Sequence, residues 1–271
     1  MPIRESPPAG APCWAELTTS DAARSREFYT ELFGWTAEEA PAGAAGHVSF
    51  RSGGTLVAGC VASQAGPGKP DTWSVYLATG DAGKTLTAAA ASGGTVSVPA
   101  TPVGGLGTMG YLTDAAGAAV GVWQPGQHHG FGRYGEPGAP SWFELHTRGY
   151  QDALAFYRDV FGWDTYVISD TPEFRYTTLR HGEEWLAGVM DAAGFLPEGV
   201  PSHWSVYFGV DNTDAALARA ISLGGTVVRD AEDTPYGRLA TAADPQGARF
   251  KLVSAAGAGS AEASAEAPAG N

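Results

Sequence analysis

Apolar and polar residues alternate over residues 12–18, the two-residue period of a strand with one buried face. A four-residue period follows. Phe28 and Leu32, then Tyr29 and Phe33, fall on one side of a helix that Ser20-Asp21 can cap and Gly34 can end. Short alternating runs near 35–39, 46–51 and 55–62 predict three more strands. A strand at 72–79, a helix opened by Asp81 and closed by Gly93-Gly94, and strands near 95–98, 108–113 and 118–123 repeat the plan. The second half does likewise, with helices at about 150–161 and 212–223. Strand-helix-strand-strand-strand, four times over, predicts an α+β fold with helices outside curved sheets.

The chain also repeats itself at a longer period. Trp14-Ala15-Glu16-Leu17 returns as Trp142-Phe143-Glu144-Leu145, and Phe28-Tyr29 with Phe33-Gly34-Trp35 as Phe156-Tyr157 with Phe161-Gly162-Trp163, 128 positions on (14 to 142, 28 to 156). Trp73-Ser74-Val75-Tyr76 returns as Trp204-Ser205-Val206-Tyr207, and Asp114 with Gly117 as Asp244 with Gly247. The expected organisation is a loose N-terminus at 1–11, one domain at 12–125, a Gly/Pro-rich connector at 126–139 and a second domain at 140–255. An Ala/Gly/Ser/Glu/Pro tail at 256–271 reads as disordered.

Composition narrows the function classes. The 44% hydrophobic and 17% charged content is globular, and 38 glycines with 18 prolines suit many turns and short strands. A formal charge of −13 without a Lys/Arg cluster argues against nucleic acid and against an anionic membrane surface. Two cysteines without CxxC spacing fit a reducing compartment. The N-terminus lacks an apolar leader and no apolar run reaches membrane length, so cytoplasmic residence is expected.

The segments Ala153-Leu154-Ala155-Phe156-Tyr157, His203-Trp204-Ser205-Val206-Tyr207-Phe208 and Asp244-Pro245-Gln246-Gly247-Ala248-Arg249-Phe250, with their counterparts in the first half, resemble the vicinal oxygen chelate superfamily. That group includes glyoxalase I, bleomycin-resistance proteins and extradiol dioxygenases, and the chain looks like its tandem two-domain members labelled hydroxylase or glyoxalase-like. The resemblance implies paired βαβββ modules wrapping a U-shaped sheet around a cavity, and two such domains packed as an intramolecular pseudo-dimer able to stand as a monomer. It also implies a divalent metal held by His and Glu at three places. In this sequence those places fall on Trp142, Ser205 and Lys251 in the second domain, and on Trp14, Ser74 and Gly121 in the first. None of these is a ligand, so the usual metal triad is missing.

Strand alternation puts Trp142, Glu144 and His146 on one face, with His203, Ser205 and Tyr207, and with Arg249 and Lys251. The first-domain equivalents, Trp14, Glu16, Thr18, Thr72, Ser74, Tyr76, Ala119 and Gly121, carry far fewer ionisable groups. The second cavity is therefore the expected site of function. Glu144 and His146 would do acid-base work with His203 assisting, while Trp142, Ser205, Tyr207, Arg249 and Lys251 bind substrate. Three readings stay open for the charged groups. Glu144, His146 and His203 could form a displaced Fe, Zn or Mn site. They could act without metal as general acid and base. Or Glu144 could simply pair with Lys251 or Arg249, as buried charges usually do.

The functional expectation is a glyoxalase/dioxygenase-like enzyme, a lyase, isomerase or oxygenase acting on a small oxygenated organic molecule. Its rival is a non-catalytic protein that sequesters a drug or metabolite, as bleomycin-resistance proteins do. Trp14, Trp73, Trp142, Trp204, Tyr76 and Tyr207 could stack on such a guest or fill cores. Gly105-Leu106-Gly107-Thr108-Met109-Gly110 spells a dinucleotide fingerprint but leads into a strand-like run. His128-His129 falls in the connector, His181 in a hairpin turn, and His47 begins a strand and can point either way. Cys13 reads as a small buried hydrophobe.

Overall fold

The computed structural model describes residues 6–39, 46–63 and 70–255. It contains two eight-stranded mixed sheets. The first is built from β1 (Pro12–Thr19), α1 (Ala22–Phe33), β2 (Thr36–Glu39), β3 (His47–Ser52), β4 (Thr55–Ala62), β5 (Thr72–Ala78), α2 (Ala82–Ala91), β6 (Thr95–Val103), β7 (Gly107–Thr113) and β8 (Ala119–Pro125). The second repeats this with β9 (Pro140–Thr147), α3 (Tyr150–Phe161), β10 (Thr165–Asp170), β11 (Arg175–His181), β12 (Glu184–Asp191), β13 (His203–Gly209), α4 (Thr213–Ser222), β14 (Thr226–Thr234), β15 (Gly237–Ala243) and β16 (Arg249–Ser254). Strand order is β2-β3-β4-β1-β5-β8-β7-β6 in one and β10-β11-β12-β9-β13-β16-β15-β14 in the other. Each sheet is thus two βαβββ modules joined by an antiparallel pair of first strands, β1 with β5 and β9 with β13.

Local chemistry explains the elements. Asp21, Asp81 and Asn212 accept hydrogen bonds from backbone amides three residues on and so cap three of the helices. Gly34 and Gly162 take the left-handed conformation that turns the chain out of α1 and α3. Strand β6 runs on through Pro99 and Pro102, past the expected end at 98. It is an edge strand, where a missing amide hydrogen goes unnoticed.

The helices pack between the outer faces of the two sheets. Phe28 on α1 lies against Phe250 on β16, and Phe33 against Phe208 on β13. Phe28 and Phe156 are fully buried, each contributing roughly 2–3 kcal/mol of apolar burial. Two matched relays close this seam. The Trp73 indole donates to the Tyr29 hydroxyl (2.9 Å), which donates to Asp244 (3.1 Å). The Trp204 indole donates to Tyr157 (2.9 Å), which donates to Asp114 (2.9 Å). Each relay joins one domain to the other. Trp73 and Trp204 therefore face this core and not a ligand.

Two expectations change here. Residues 1–5 of the loose N-terminus and the 256–271 tail lie outside the described residues, but Gly10 and Ala11 are anchored. The Gly10 amide donates to Ala78, its carbonyl accepts from the Trp163 indole (2.9 Å), and Ala11 is fully buried. The connector is also more than a link. The Phe131 amide donates to Cys13 and that of Gly132 to Leu56, while the Phe131 ring stacks on Phe143 at 5.7 Å. Among the described residues no helix is long and apolar enough to cross a membrane.

Candidate functional site: two inner faces of unequal charge

Side-chain alternation holds as expected, so each sheet presents one polar inner face. In the first domain this face encloses a cavity of about 110 Å³. Its lining comes from β3 at one end of the sheet and Met109 on β7 at the other, so the sheet curls around it. Trp14, Trp123, Val103, Leu106 and Met109 make the wall largely apolar. Its polar groups are Glu16, Tyr76, His47, Ser49 and His128.

Glu16 sits on β1 and accepts from its neighbours: Oε1 lies 3.0 Å from His47 Nδ1, and Oε2 accepts from the Tyr76 hydroxyl at 3.4 Å. The Glu16 hydrogen bond outweighs burial and raises His47 above the ordinary imidazole value. His128 comes from the connector, stands edge-on to Trp14 at 4.4 Å, and is pushed down to about 4 by burial. It is a neutral ring at working pH, while His129 points to solvent. Sequence reasoning left His47 undecided and placed His128 in a linker, so both were missed as cavity residues.

In the second domain the expected residues do converge, but on one another. Glu144 is 4% exposed. Its Oε2 accepts from Tyr176 (2.8 Å) and its Oε1 from Tyr207 (2.7 Å) and Lys251 (3.3 Å). His146 Nε2 lies 2.8 Å from both Glu144 Oε1 and Lys251 Nζ. Burial alone would raise the Glu144 carboxyl. The Lys251 charge and the hydrogen bonds from His146 and Tyr207 overcome this and hold it well below the carboxylate range. Burial likewise pulls Lys251 below the usual ammonium value. Trp142 donates to the Tyr176 hydroxyl (3.0 Å). His203 stands off, its Nδ1 3.0 Å from the Pro201 carbonyl and its ring parallel to His146 at 5.3 Å. Ser205 is half-buried, and Arg249 is exposed on the same face as Lys251.

Strand register makes the two faces directly comparable. Glu16 and Glu144 occupy matching places, as do Tyr76 and Tyr207. His47 and Tyr176 match, since each pairs across the sheet with the residue that Thr18 or His146 also faces. Gly121 matches Lys251, opposite the two tyrosines. A β-carbon at Gly121 would lie 2.2 Å from the Tyr76 ring. Tyr76 thus rests on bare backbone in the first domain, in the place where the Lys251 side chain begins in the second.

Neither face suits a divalent metal. Among the described residues no three His, Cys, Asp or Glu side chains gather in a way that could hold one. The displaced set of Glu144, His146 and His203 is not assembled, because Lys251 already supplies a positive charge to the first two and His203 turns to Pro201. In the first domain Glu16 and His47 offer one carboxylate and one imidazole, the His128 ring packs edge-on against Trp14 and Trp123, and the places where the resemblance implies ligands hold Trp14, Ser74 and Gly121.

Comparison with known proteins agrees with this architecture. Residues 13–122 match the family described as the Glyoxalase/Bleomycin resistance protein/Dioxygenase superfamily, and residues 142–253 match the Glyoxalase-like domain. The Mycobacterium tuberculosis protein named "Putative glyoxylase CFP32" is 37% identical over 258 residues, 93% of this chain and 98% of that protein. "Anthracycline biosynthesis protein DnrV" of Streptomyces peucetius is 38% identical over 90% of this chain and 93% of its own length. Among solved structures, the Mn(II)-bound glyoxalase from Novosphingobium aromaticivorans shares the fold at a TM-score of 0.62 and 17% identity, covering 91% of this chain and 82% of that one. The chain belongs to the glyoxalase/bleomycin resistance protein/dioxygenase (vicinal oxygen chelate) superfamily, with one such domain in each half.

Proposed function

We propose that the first-domain cavity binds a small oxygenated organic molecule and that Glu16 and His47 move a proton on it. The observation that carries this reading is the Glu16–His47 contact of 3.0 Å on the wall of an otherwise apolar cavity. A void of about 150 Å³ can hold benzene, so about 110 Å³ suits a short carbonyl compound or one end of a larger ligand. The Glu16 carboxylate is the base. His47 carries its proton to higher pH than usual, and among the described residues its Nε2 has no hydrogen-bond partner, so it can donate to a ligand oxygen. Proton abstraction beside a carbonyl, with the enolate oxygen held by His47, is the chemistry this pair fits. The names of the relatives, one a glyoxylase and one from anthracycline biosynthesis, support a small oxygenated substrate.

Solvent-deuterium exchange tests the reading. Small ketones and aldehydes are incubated with the protein in D2O and followed by NMR. Exchange beside the carbonyl that disappears in Glu16→Gln and falls in His47→Asn is the expected result. A second reading, sequestration, rests on Trp14, Trp123 and the neutral His128 as apolar walls. Ligand binding unchanged by Glu16→Gln, without any exchange in the native protein, would replace the enzyme by that binding module.

A further inference from the structure

The second domain holds a charged cluster for which the first-domain chemistry has no use. We infer that the Lys251 ammonium stands in the place of a metal ion, and that the inner face of this domain is a second, metal-independent site for a flat aromatic molecule carrying a carboxylate or phenolate oxygen. Lys251 stands opposite Tyr207 in the strand register, at the third of the places where the resemblance implies a metal ligand. Its Nζ is 2.7 Å from the Tyr207 hydroxyl, 2.8 Å from His146 Nε2 and 3.3 Å from Glu144 Oε1, and 4.5 Å from the centre of the Tyr207 ring. Groups from β9 and β13 thus converge on one cation from β16, as they would on a metal. A divalent ion brought to the same point would meet an ammonium a few ångströms away, and that repulsion is severe in a buried site.

The cluster is not sealed. The Lys251 side chain is 19% exposed while that of Glu144 is 5% exposed, so the lysine is the more open member of the pair. Above it stand flat groups that water should not be left to cover. Phe174 stacks on Tyr176 at 5.6 Å and 11°, and Phe195 meets His146 edge-on at 6.1 Å. Both phenylalanines are exposed, at 38% and 55%. Exposed aromatics bordering a charged floor mark a surface built for an aromatic partner.

The floor can also spare a hydrogen. His146 Nε2 is equally near Lys251 and Glu144. When Nε2 carries its hydrogen it donates to Glu144, and the Lys251 hydrogen otherwise aimed at His146 is left for a ligand oxygen. That hydrogen bond is charge-assisted and among the stronger kinds. Arg249, exposed two residues earlier on the same strand face, adds positive charge at the rim.

The test uses 1-hydroxy-2-naphthoate, a flat fluorescent probe, titrated into the full-length protein with EDTA and again with Mn(II). The expected result is the same affinity in both, at least tenfold weaker in Lys251→Met and in Phe195→Ala. Because Lys251→Met alone can fail to fold, Glu144→Gln/Lys251→Met is titrated as well, with the same loss expected. Glu16→Gln should leave the affinity unchanged, which separates this site from the first-domain cavity. In a parallel experiment Mn(II) is followed by EPR. Native protein should leave the ion free, and Lys251→Glu, which puts two carboxylates beside His146, should bind it. Probe affinity that survives loss of Lys251, or that requires Mn(II), or Mn(II) bound by native protein in competition with the probe, overturns the inference.

Discussion

Replacing Lys251 by methionine removes the charge opposite Glu144 and keeps most of the side-chain volume. The native carboxyl is held well below its ordinary range. Its stabilising contribution is therefore fully present above the unfolded value, about 4.3, and is lost only as pH falls through the depressed folded value. In the variant burial, the largest influence on Glu144, is opposed by His146 and by the hydrogen bond from Tyr207, and the expected outcome is a folded value raised above the unfolded one. Its contribution is then present below about pH 4.3 and lost as pH rises through the raised folded value.

The stability gap between the two proteins must therefore widen with pH. An unpaired buried carboxylate costs about 3–5 kcal/mol, the gap expected near pH 8. It should shrink on acidification by roughly 1.4 kcal/mol for each unit by which burial lifts Glu144. Urea denaturation followed by circular dichroism between pH 4.5 and 8 measures it directly. At roughly 2–4 °C per kcal/mol for a chain of this size class, the melting temperature near pH 8 should fall by about 6–20 °C. Glu144→Gln/Lys251→Met should recover most of the loss, since neither charge is then stranded. A gap that is constant across this pH range, or below about 1 kcal/mol throughout, would show that Lys251 is not what keeps Glu144 ionised.

Three further outcomes follow from the geometry. Tyr29→Phe and Tyr157→Phe each strand a buried tryptophan N–H and an aspartate across the domain seam, so each should cost about 1–3 kcal/mol in chemical denaturation. In NMR titrations the His47 ring should charge above the ordinary histidine value and His128 near 4. The His47 contribution to stability is full below about pH 6.5 and fades as pH rises through its raised value, while that of His128 is full above about 6.5 and fades as pH falls through its lowered one. Gly121→Ala drives a methyl into the Tyr76 ring, so it should cost about 1–3 kcal/mol and weaken any ligand of the first-domain cavity, measured by thermal shift with and without ligand.

The helices, the strands and the inward direction of Glu144, His146, Tyr207 and Lys251 were legible because two-residue alternation and the capping residues state them locally. The location of open space was not. Many ionisable groups on one face drew attention to the second domain, where Glu144, His146 and Lys251 meet one another, while the cavity of about 110 Å³ in the first domain left no comparable mark in the sequence. His47 could have been placed by register, since it matches Tyr176 once β3 and β11 are aligned through their repeats. His128 could not, because the connector has no strand period and its ring is placed by packing against Trp14 and Trp123.

The two inner faces share a glutamate and a tyrosine and differ in what stands across from the tyrosine. With glycine there, the Tyr76 ring sinks against the backbone and its hydroxyl reaches Glu16 only at 3.4 Å. With lysine there, the Tyr207 ring is held up beneath the ammonium and its hydroxyl meets Glu144 at 2.7 Å. The contrast predicts that one residue of the last strand sets the height of the tyrosine, and with it the choice between a hollow and a charged floor. Lys251→Gly tests this dependence most sharply when made together with Glu144→Gln, so that no charge is stranded. A crystal structure should then show Tyr207 lowered onto residue 251, with a cavity like that of the first domain beside it. A Tyr207 ring that keeps its height would show that neighbouring side chains, and not position 251, decide the shape of the floor.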